Sequence, residues 1–364
     1  MRPVPETECM PGEELTFTDA RVALRRHGGW SLVRESFTRF RYGDGFSHAR
    51  GFGLQLALAT VPLVIALAGL AGVAGADRVA TVVARTAVAL SPGSSDALVE
   101  QTVERAAAAG DEDAREERAE AAGEEEPESP GQTQEDVSEL AVVLGLLVAV
   151  ASTTSAFAQL ERGANRIYGT GRDRPALAKY GRALALALTA GTPLALGLLA
   201  IVAGNPLADA VEDVYAPDGA WLTAWRVGRW PLGLLLLLVS VTTLFRYSPR
   251  RRQPGMTWLV VGSGATVLGW LGASGLLALY VATSGSFGET YGALTAVMAL
   301  LLWAYVTGVA LLGGVALAAQ LEAVRAGLDD PLLPDSDSDG VPDALDAGAT
   351  ASPPAAARAT SEPE

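Results

Sequence analysis

The residues best spaced for chemistry lie near the C-terminus, in the acidic stretch DSDSDGVPDALD. Its aspartates fall at positions 1, 3, 5, 9 and 12 of a calcium-binding loop, with Gly340 at position 6. These aspartates are Asp335, Asp337, Asp339, Asp343 and Asp346. Position 12 carries Asp where a bidentate Glu is usual, and no apolar helices flank the loop. The pattern leaves two alternatives open, weak divalent-cation binding and a plain acidic tail.

Other residues that could carry out chemistry are few. The single cysteine, Cys9, has no partner for a disulfide or a Cys-x-x-Cys site. The two histidines, His27 and His48, show no HxH or HxxxD spacing. Metal-dependent RNA hydrolysis needs clustered histidine and carboxylate ligands. We therefore expect no ribonuclease activity, no other enzymatic activity, no resident cofactor and no nucleic-acid partner.

The composition instead indicates a membrane protein. The chain is 49% hydrophobic yet carries a formal net charge of -14, and the two properties occupy separate segments. Six stretches approach or reach the roughly 20 apolar residues that a membrane-spanning helix needs. They lie at Gly51 to Ala76, Val137 to Leu160, Ala183 to Gly204, Val227 to Phe245, Thr257 to Thr283 and Tyr291 to Gln320. The predicted fold is all-α, a polytopic bundle of six transmembrane helices in contact with the lipid bilayer.

The distribution of basic residues predicts how these helices are oriented. Of the 27 Lys and Arg residues, 20 lie before the first span, in 161–182, in 246–256 and after the sixth span. The positive-inside rule then places both termini in the cytosol, with the protein in the plasma membrane. The basic stretch RYSPRRR, residues 246–252, becomes a cytosolic corner between the fourth and fifth spans.

The remaining segments are predicted to lie outside the hydrocarbon. In the leader, residues 1–50, the aromatic residues Trp30, Phe37, Phe40 and Phe46 alternate with arginines. This spacing favours an amphipathic helix in the inner headgroup layer, with a solvated helix packed on the inner loops as the alternative. The membrane domain spans 51–325 and includes an acidic outer loop at 77–136, and 326–364 forms an acidic, disordered tail. The excess of acid and the single lysine are typical of halophilic proteins.

Several motifs, taken in order, resemble a known family. They are NRIYG at 165–169, RYSPRRR, FGETYG at 287–292 and LLLWAY at 300–305, and the similarity runs over about residues 17–325. In this order they resemble the YihY/BrkB family of inner-membrane proteins, once labelled ribonuclease BN and of unassigned activity. The resemblance implies six spans with both ends inside. It also marks Asn165, Tyr168, Glu289 and Tyr291 as candidate functional residues at the two mouths of the bundle.

One departure from the family pattern bears on mechanism. Members often carry a glutamate in the last span, where this chain has Val315 or Ala316. None of the predicted spans has a charged residue near its midpoint, so the ionisable groups that ion-coupled carriers need are missing. The interior offers hydroxyls instead: Ser152, Thr153, Thr154, Ser155, Thr189, Thr192, Ser240, Thr242 and Thr243. Prolines at 62, 193 and 231 could bend or break their helices.

Two functions remain open on this evidence. An uncharged, hydroxyl-lined bundle favours movement of a lipid or another amphiphile across the membrane. The alternative is a scaffold that does not transport and that assembles into homo-oligomers. Small residues repeat every four positions in spans five and six, at Ala265, Gly269 and Ala273 and at Ala310, Gly314 and Ala318. Such stripes let helix backbones approach closely, either within one chain or between two chains.

Overall fold

The computed structural model describes residues 4–6, 15–73, 131–170, 174–202, 204–215, 219–283 and 294–334. Within these ranges the regular structure is entirely helical, and no strand is present. The calcium-like loop and the candidate residues Glu289 and Tyr291 lie outside the described residues. The fold class predicted from the sequence is therefore confirmed for this part of the chain.

The described residues form a series of α-helices. In chain order they are α1 (Phe17–His27), α2 (Gly29–Tyr42), α3 (Gly45–Val73), α4 (Gly131–Ile167), α5 (Ala176–Leu186), α6 (Thr192–Val202), α7 (Gly204–Tyr215), α8 (Gly219–Tyr247), α9 (Met256–Thr283) and α10 (Leu294–Arg325). A π-helical turn, Ala187–Gly191, joins α5 to α6, so that these two form one continuous rod.

Five helices are long and apolar enough to cross a membrane. Their apolar portions are Val143–Ile167, Ala176–Ile201, Gly219–Tyr247, Met256–Tyr280 and Val297–Arg325. These portions overlap the second to sixth predicted spans. The first predicted span falls on α3, a helix of 29 residues whose side chains are described only in its first half. The structure thus shows five candidate spans, and the sixth remains a prediction.

The last helix, α10, lies at the centre of the bundle and packs against α1, α2, α3, α4 and α9. Its contact with α9 is close because Gly314 has no side chain. A Cβ atom added at Gly314 would lie 1.6 Å from Thr266 Oγ1 and 3.1 Å from the Gly262 carbonyl oxygen. Ala318 approaches Gly262 at the same crossing. The predicted small-residue stripe on α10 is therefore used within one chain.

The small-residue stripe predicted on α9 behaves differently. Ala265 and Gly269 are exposed, and a Cβ atom added at Gly269 would meet nothing within 4 Å. The face of α9 that packs on α10 instead contains Gly262 and Thr266. The two rows differ because adjacent residues of a helix are about 100° apart around its axis, so Thr266 projects away from Ala265.

The π-helical turn explains one irregularity that the sequence suggested. Such a turn leaves a backbone carbonyl without its usual partner. Here the Ser240 hydroxyl on α8 donates a hydrogen bond of 2.5 Å to the Ala190 carbonyl. Pro193 follows directly, in the first turn of α6. Pro62 and Pro231, in contrast, lie inside α3 and α8 without ending them.

The N-terminal aromatic segment forms α2, which has two distinct faces. One face, which includes Leu32, Arg39 and Phe40, is buried, and α2 packs on α10. The other face exposes 81% of Trp30 and 57% of Phe37. The helix therefore packs on the bundle and exposes an aromatic face, and its position in the headgroup layer stays a prediction.

Candidate functional site

Buried polar side chains gather at one end of the bundle. We call this the basic end, and it comprises α2, the C-terminal turns of α4 and α10, residues 168–170, Arg174 and the corner 248–255. This location is expected from the sequence, because charged residues are costly within the apolar spans and therefore lie at the helix ends. Three arginines there have side chains no more than 15% exposed: Arg39, Arg174 and Arg251.

Arg39 is fully buried and ties three parts of the chain together. Its Nε donates to the Ile167 carbonyl at the end of α4, at 2.9 Å. Its Nη2 donates to the Pro5 carbonyl at 2.7 Å, and its Nη1 donates to Gln320 Oε1 on α10 at 3.2 Å. Burial lowers the pKa of Arg39 to about 10, with Tyr168 and Glu322 opposing the shift, so the guanidinium stays charged at neutral pH.

Gln320 extends this network towards solvent. Its amide nitrogen donates to Glu35 Oε2 at 3.3 Å and to the Asp329 carbonyl at 2.8 Å. The same Glu35 oxygen lies 2.6 Å from His27 Nε2. Because Gln320 is fully buried, these bonds replace the water that its amide would otherwise bind.

Arg251 forms a second buried unit with Glu322 and Tyr168. Its Nη2 lies 2.5 Å from Glu322 Oε2, and the two side chains are 0% and 4% exposed. Its guanidinium also lies 4.1 Å from the centroid of the Tyr168 ring, a cation–π contact. Burial raises the pKa of the Tyr168 hydroxyl well above its usual value, so the phenol remains neutral and can donate a hydrogen bond. Arg251 lies in the predicted corner between the fourth and fifth spans, and its side chain is inside the protein.

Glu161 and Arg174 form a third unit across the end of α4. The carboxylate is fully buried and pairs directly with the Arg174 guanidinium. Arg174 also donates to the Ser248 carbonyl at 3.3 Å and to the Pro249 carbonyl at 3.4 Å. A buried carboxylate is costly unless it is paired, so this arginine allows Glu161 to lie at the end of a membrane helix.

Two close contacts of the backbone help to hold the basic end together. The Arg250 backbone N–H donates to Asn165 Oδ1 at 2.7 Å, which joins the corner to α4. Gly169 has φ +76°, and a Cβ atom there would lie 2.6 Å from the Val4 carbonyl oxygen. Only glycine accommodates both this left-handed conformation and the close approach of residues 4–6.

The structure brings together two of the four candidate residues chosen from the family pattern. Asn165 and Tyr168 both lie in the basic end and are 4% and 1% exposed. Sequence reasoning missed Arg39, Gln320 and Glu322 as members of the same site. A usable signal was present, since Gln320 and Glu322 are polar residues in the last turns of an otherwise apolar helix.

The contacts described at the basic end are ion pairs and hydrogen bonds. Glu161 and Glu322 pair with arginines, and among the described residues no group of three or more His, Cys, Asp or Glu could hold a metal ion. Breaking the ion pairs and the hydrogen bonds of Arg39 would remove contacts that join α2, α4, α10 and the corner. The site is therefore suited to holding one end of the bundle closed.

A small cleft, with a cavity volume of about 20 Å³, lies at mid-depth between α6 and α8 on one side and α9 and α10 on the other. Every residue that lines it is uncharged. Trp270 Nε1 donates to Thr307 Oγ1 at 3.0 Å, and Thr307 in turn donates to the Trp303 carbonyl. The hydroxyls of the cleft come from Thr266 and Thr307. Of the hydroxyls predicted to line the interior, those of Thr189 and Thr242 bond to carbonyls of their own helices.

Comparisons with known proteins agree with this architecture. The family model described as Virulence factor BrkB matches residues 36–338. A ribonuclease-like protein of Bacillus subtilis (strain 168), YfkH, is 22% identical over 170 residues, covering 47% of this chain and 62% of that protein. A UPF0761 membrane protein of Xanthomonas campestris pv. campestris (strain B100) is 26% identical over 187 residues, covering 50% of this chain and 41% of the relative.

A second UPF0761 membrane protein, from Xanthomonas axonopodis pv. citri (strain 306), is 27% identical over 191 residues. The match covers 50% of this chain and 42% of that protein. The chain thus spans less than two thirds of the curated relatives that it matches. No solved structure matches it.

Proposed function

We propose that this chain, a multi-pass membrane protein that belongs to the BrkB family, moves a lipid or another amphiphile across the plasma membrane. The observation that carries the proposal is the uncharged cleft between α6, α8, α9 and α10. Its cavity volume of about 20 Å³ is well below the range for ligand pockets, so a ligand would have to part the surrounding helices, and its exposed walls are apolar. An acyl chain is the ligand that such walls accept at least cost, since no charge there has to be desolvated.

The basic end supports the proposal as a closed gate. A translocating protein must not leave a continuous polar path through the bilayer in its resting state. The two buried ion pairs and the hydrogen-bonded Arg39 unit join α2, α4, α10 and the 248–255 corner. Opening of the basic end would require these units to separate together. This is expected of a protein that switches between a closed and an open conformation, and not of a permanently open pore.

Reconstitution into liposomes that carry a fluorescent phospholipid tests the proposal. Dithionite reduction of the outer-leaflet label measures exchange between leaflets, and we expect faster loss of signal with the protein than in empty vesicles. Filling the cleft by Ala310→Phe should abolish the excess rate, because Ala310 lines the cleft. Exchange no faster than in empty vesicles would contradict the function.

A matched control separates cleft filling from general damage. Ala278 is exposed on α9, away from the residues that line the cleft. Ala278→Phe adds the same volume and should leave the exchange rate unchanged. If both variants lose activity equally, the cleft is not the path.

A scaffold function is the second candidate, and the exposed stripe on α9 favours it. Ala265 and Gly269 present a surface on which a second helix could pack closely. Disulfide crosslinking in native membranes, with cysteine placed at residue 265 and Cys9 replaced by serine, tests for a homo-oligomer. Efficient crosslinking together with no lipid exchange would favour the scaffold over the transporter.

A further inference from the structure

Arg229 is a buried cation at the end of the bundle opposite the basic end. It lies in the first half of α8 and is only 7% exposed. Its Nε has no hydrogen-bond partner, and no carboxylate among the described residues pairs with it. Among the described residues, its guanidinium lies over the Trp230 ring, at 5.6 Å from the centroid. The neighbouring Arg226 differs, because it is half exposed and lies 3.7 Å from Asp209 and 3.9 Å from Glu212.

The Arg229 guanidinium points at the start of α7. A Cβ atom added at Gly204 would lie 2.4 Å from Arg229 Nη1 and 2.6 Å from its Cδ. Gly204 is the first residue of this 12-residue helix, where free backbone N–H groups and the helix dipole create positive potential. A cation would avoid this position unless an anion accompanied it. The Gly204 carbonyl accepts a hydrogen bond from Trp225 Nε1 at 3.0 Å, which holds the start of α7 against α8.

We propose that Arg229 and the N-terminus of α7 form a binding site for a phosphate oxyanion, supplied by a phospholipid headgroup. The charge and the helix terminus together provide the donors that an oxyanion accepts. The surroundings are those of a membrane interface, since Trp221 and Trp225 stack beside the site with ring centroids 6.1 Å apart and Trp230 is 45% exposed. The proposed site would bind the phosphate of a headgroup at this end of the bundle. This inference does not depend on whether the protein moves lipids across the membrane.

Binding to the purified full-length protein in a maltoside detergent tests the site directly. The probes are dihexanoyl phosphatidylglycerol below its micelle concentration, inorganic phosphate at constant ionic strength, and a neutral short-chain diacylglycerol. We expect binding of the phospholipid and no binding of the diacylglycerol. Arg229→Gln should weaken phospholipid binding at least about tenfold, because a charge-assisted hydrogen bond is lost.

Two further variants keep the test decisive if Arg229→Gln does not fold. Gly204→Ala retains the arginine but puts a methyl group into the site, and it should also weaken binding. Arg226→Gln removes a neighbouring exposed charge and should leave binding unchanged. Inorganic phosphate that binds as tightly as the phospholipid would support the oxyanion site and identify a free anion as its ligand.

Two results would overturn the proposal. The first is equal phospholipid affinity in the wild type and in both Arg229→Gln and Gly204→Ala. The second is a full-length protein that binds neither probe but gains binding when residues 104–130 are deleted. In that case a carboxylate of the acidic segment, and not an external anion, would be the partner of Arg229.

Discussion

Arg251 illustrates how one residue can combine several constraints at the basic end. It pairs with Glu322, contacts the Tyr168 ring and belongs to the corner that connects α8 to α9. Burying both charges is costly, and the pair offsets this cost only while both partners are present. The arrangement therefore stabilises one geometry of the corner more than it stabilises the fold as a whole.

Removing one partner of this pair should be strongly destabilising. We expect Arg251→Met to cost about 3 to 5 kcal/mol, because Glu322 would be left as an uncompensated buried charge. The double variant Arg251→Met, Glu322→Leu should recover most of that loss. Thermal unfolding of the detergent-solubilised protein measures both. Arg252→Met, at the exposed neighbouring arginine, is the control and should change the melting temperature little. A double variant as unstable as the single one would argue against this explanation.

At the scale of single residues, the sequence identified only some of the residues of the basic end. Asn165 and Tyr168 could be chosen because they belong to a recognisable local motif, NRIYG. The partnership of Arg39 with Gln320 joins residues 281 positions apart, and no local pattern encodes such a contact. The arginines of the corner appeared equivalent in the sequence, yet Arg251 is buried whereas Arg252 is exposed, because only packing distinguishes adjacent side chains.

At the scale of helices, two adjacent glycines of α10 should respond oppositely to the same substitution. Gly314→Ala would put a Cβ atom 1.6 Å from Thr266 Oγ1, which forces α9 and α10 apart. We expect a loss of about 1 to 3 kcal/mol or more, as for other overpacked sites. Gly313 has open space around it, so Gly313→Ala should be neutral or stabilising by up to about 1 kcal/mol. Unfolding in mixed micelles compares the two, and equal effects would contradict the packing of α9 on α10.

The acidic loop at 335–346 provides a second test at this scale, outside the described residues. Its spacing predicts weak calcium binding, with a dissociation constant of about 0.1 to 1 mM by analogy with extracellular calcium modules. Calorimetric titration of a peptide covering 329–350 measures this directly. Replacing Asp335 and Asp339 by asparagine should abolish the heat. No heat at millimolar calcium would leave the plain acidic tail as the correct alternative.

Helix positions were the most predictable feature of the molecule. The fifth predicted span, Thr257 to Thr283, differs from α9 by one residue at its start, because apolar length alone defines such a helix. The third was predicted to begin at Ala183, whereas α5 begins at Ala176. Polar and basic residues at the start of α5 concealed its first turns. The π-helical turn at Ala187–Gly191 could not be predicted, because it depends on the Ser240 hydroxyl of another helix.

The whole molecule combines an uncharged middle with charged ends. Its net charge of -14 and its 49% hydrophobic content are compatible because the apolar helices separate the charged segments. The described bundle has ion-paired arginines at the basic end, an uncharged cleft at mid-depth and Arg229 at the opposite end. This distribution is what a membrane protein needs if it is to admit acyl chains in its middle and charged groups only at its surfaces.

Labelling of single cysteines in intact cells tests most directly whether the basic end faces the cytosol. The background is Cys9→Ser, with one cysteine placed either at the exposed residue 252 or at the exposed residue 220 near the opposite end. We predict that a membrane-impermeant maleimide labels residue 220 in intact cells and residue 252 only after permeabilisation. Labelling of residue 252 from outside intact cells, or recovery of the protein in the soluble fraction, would contradict the account.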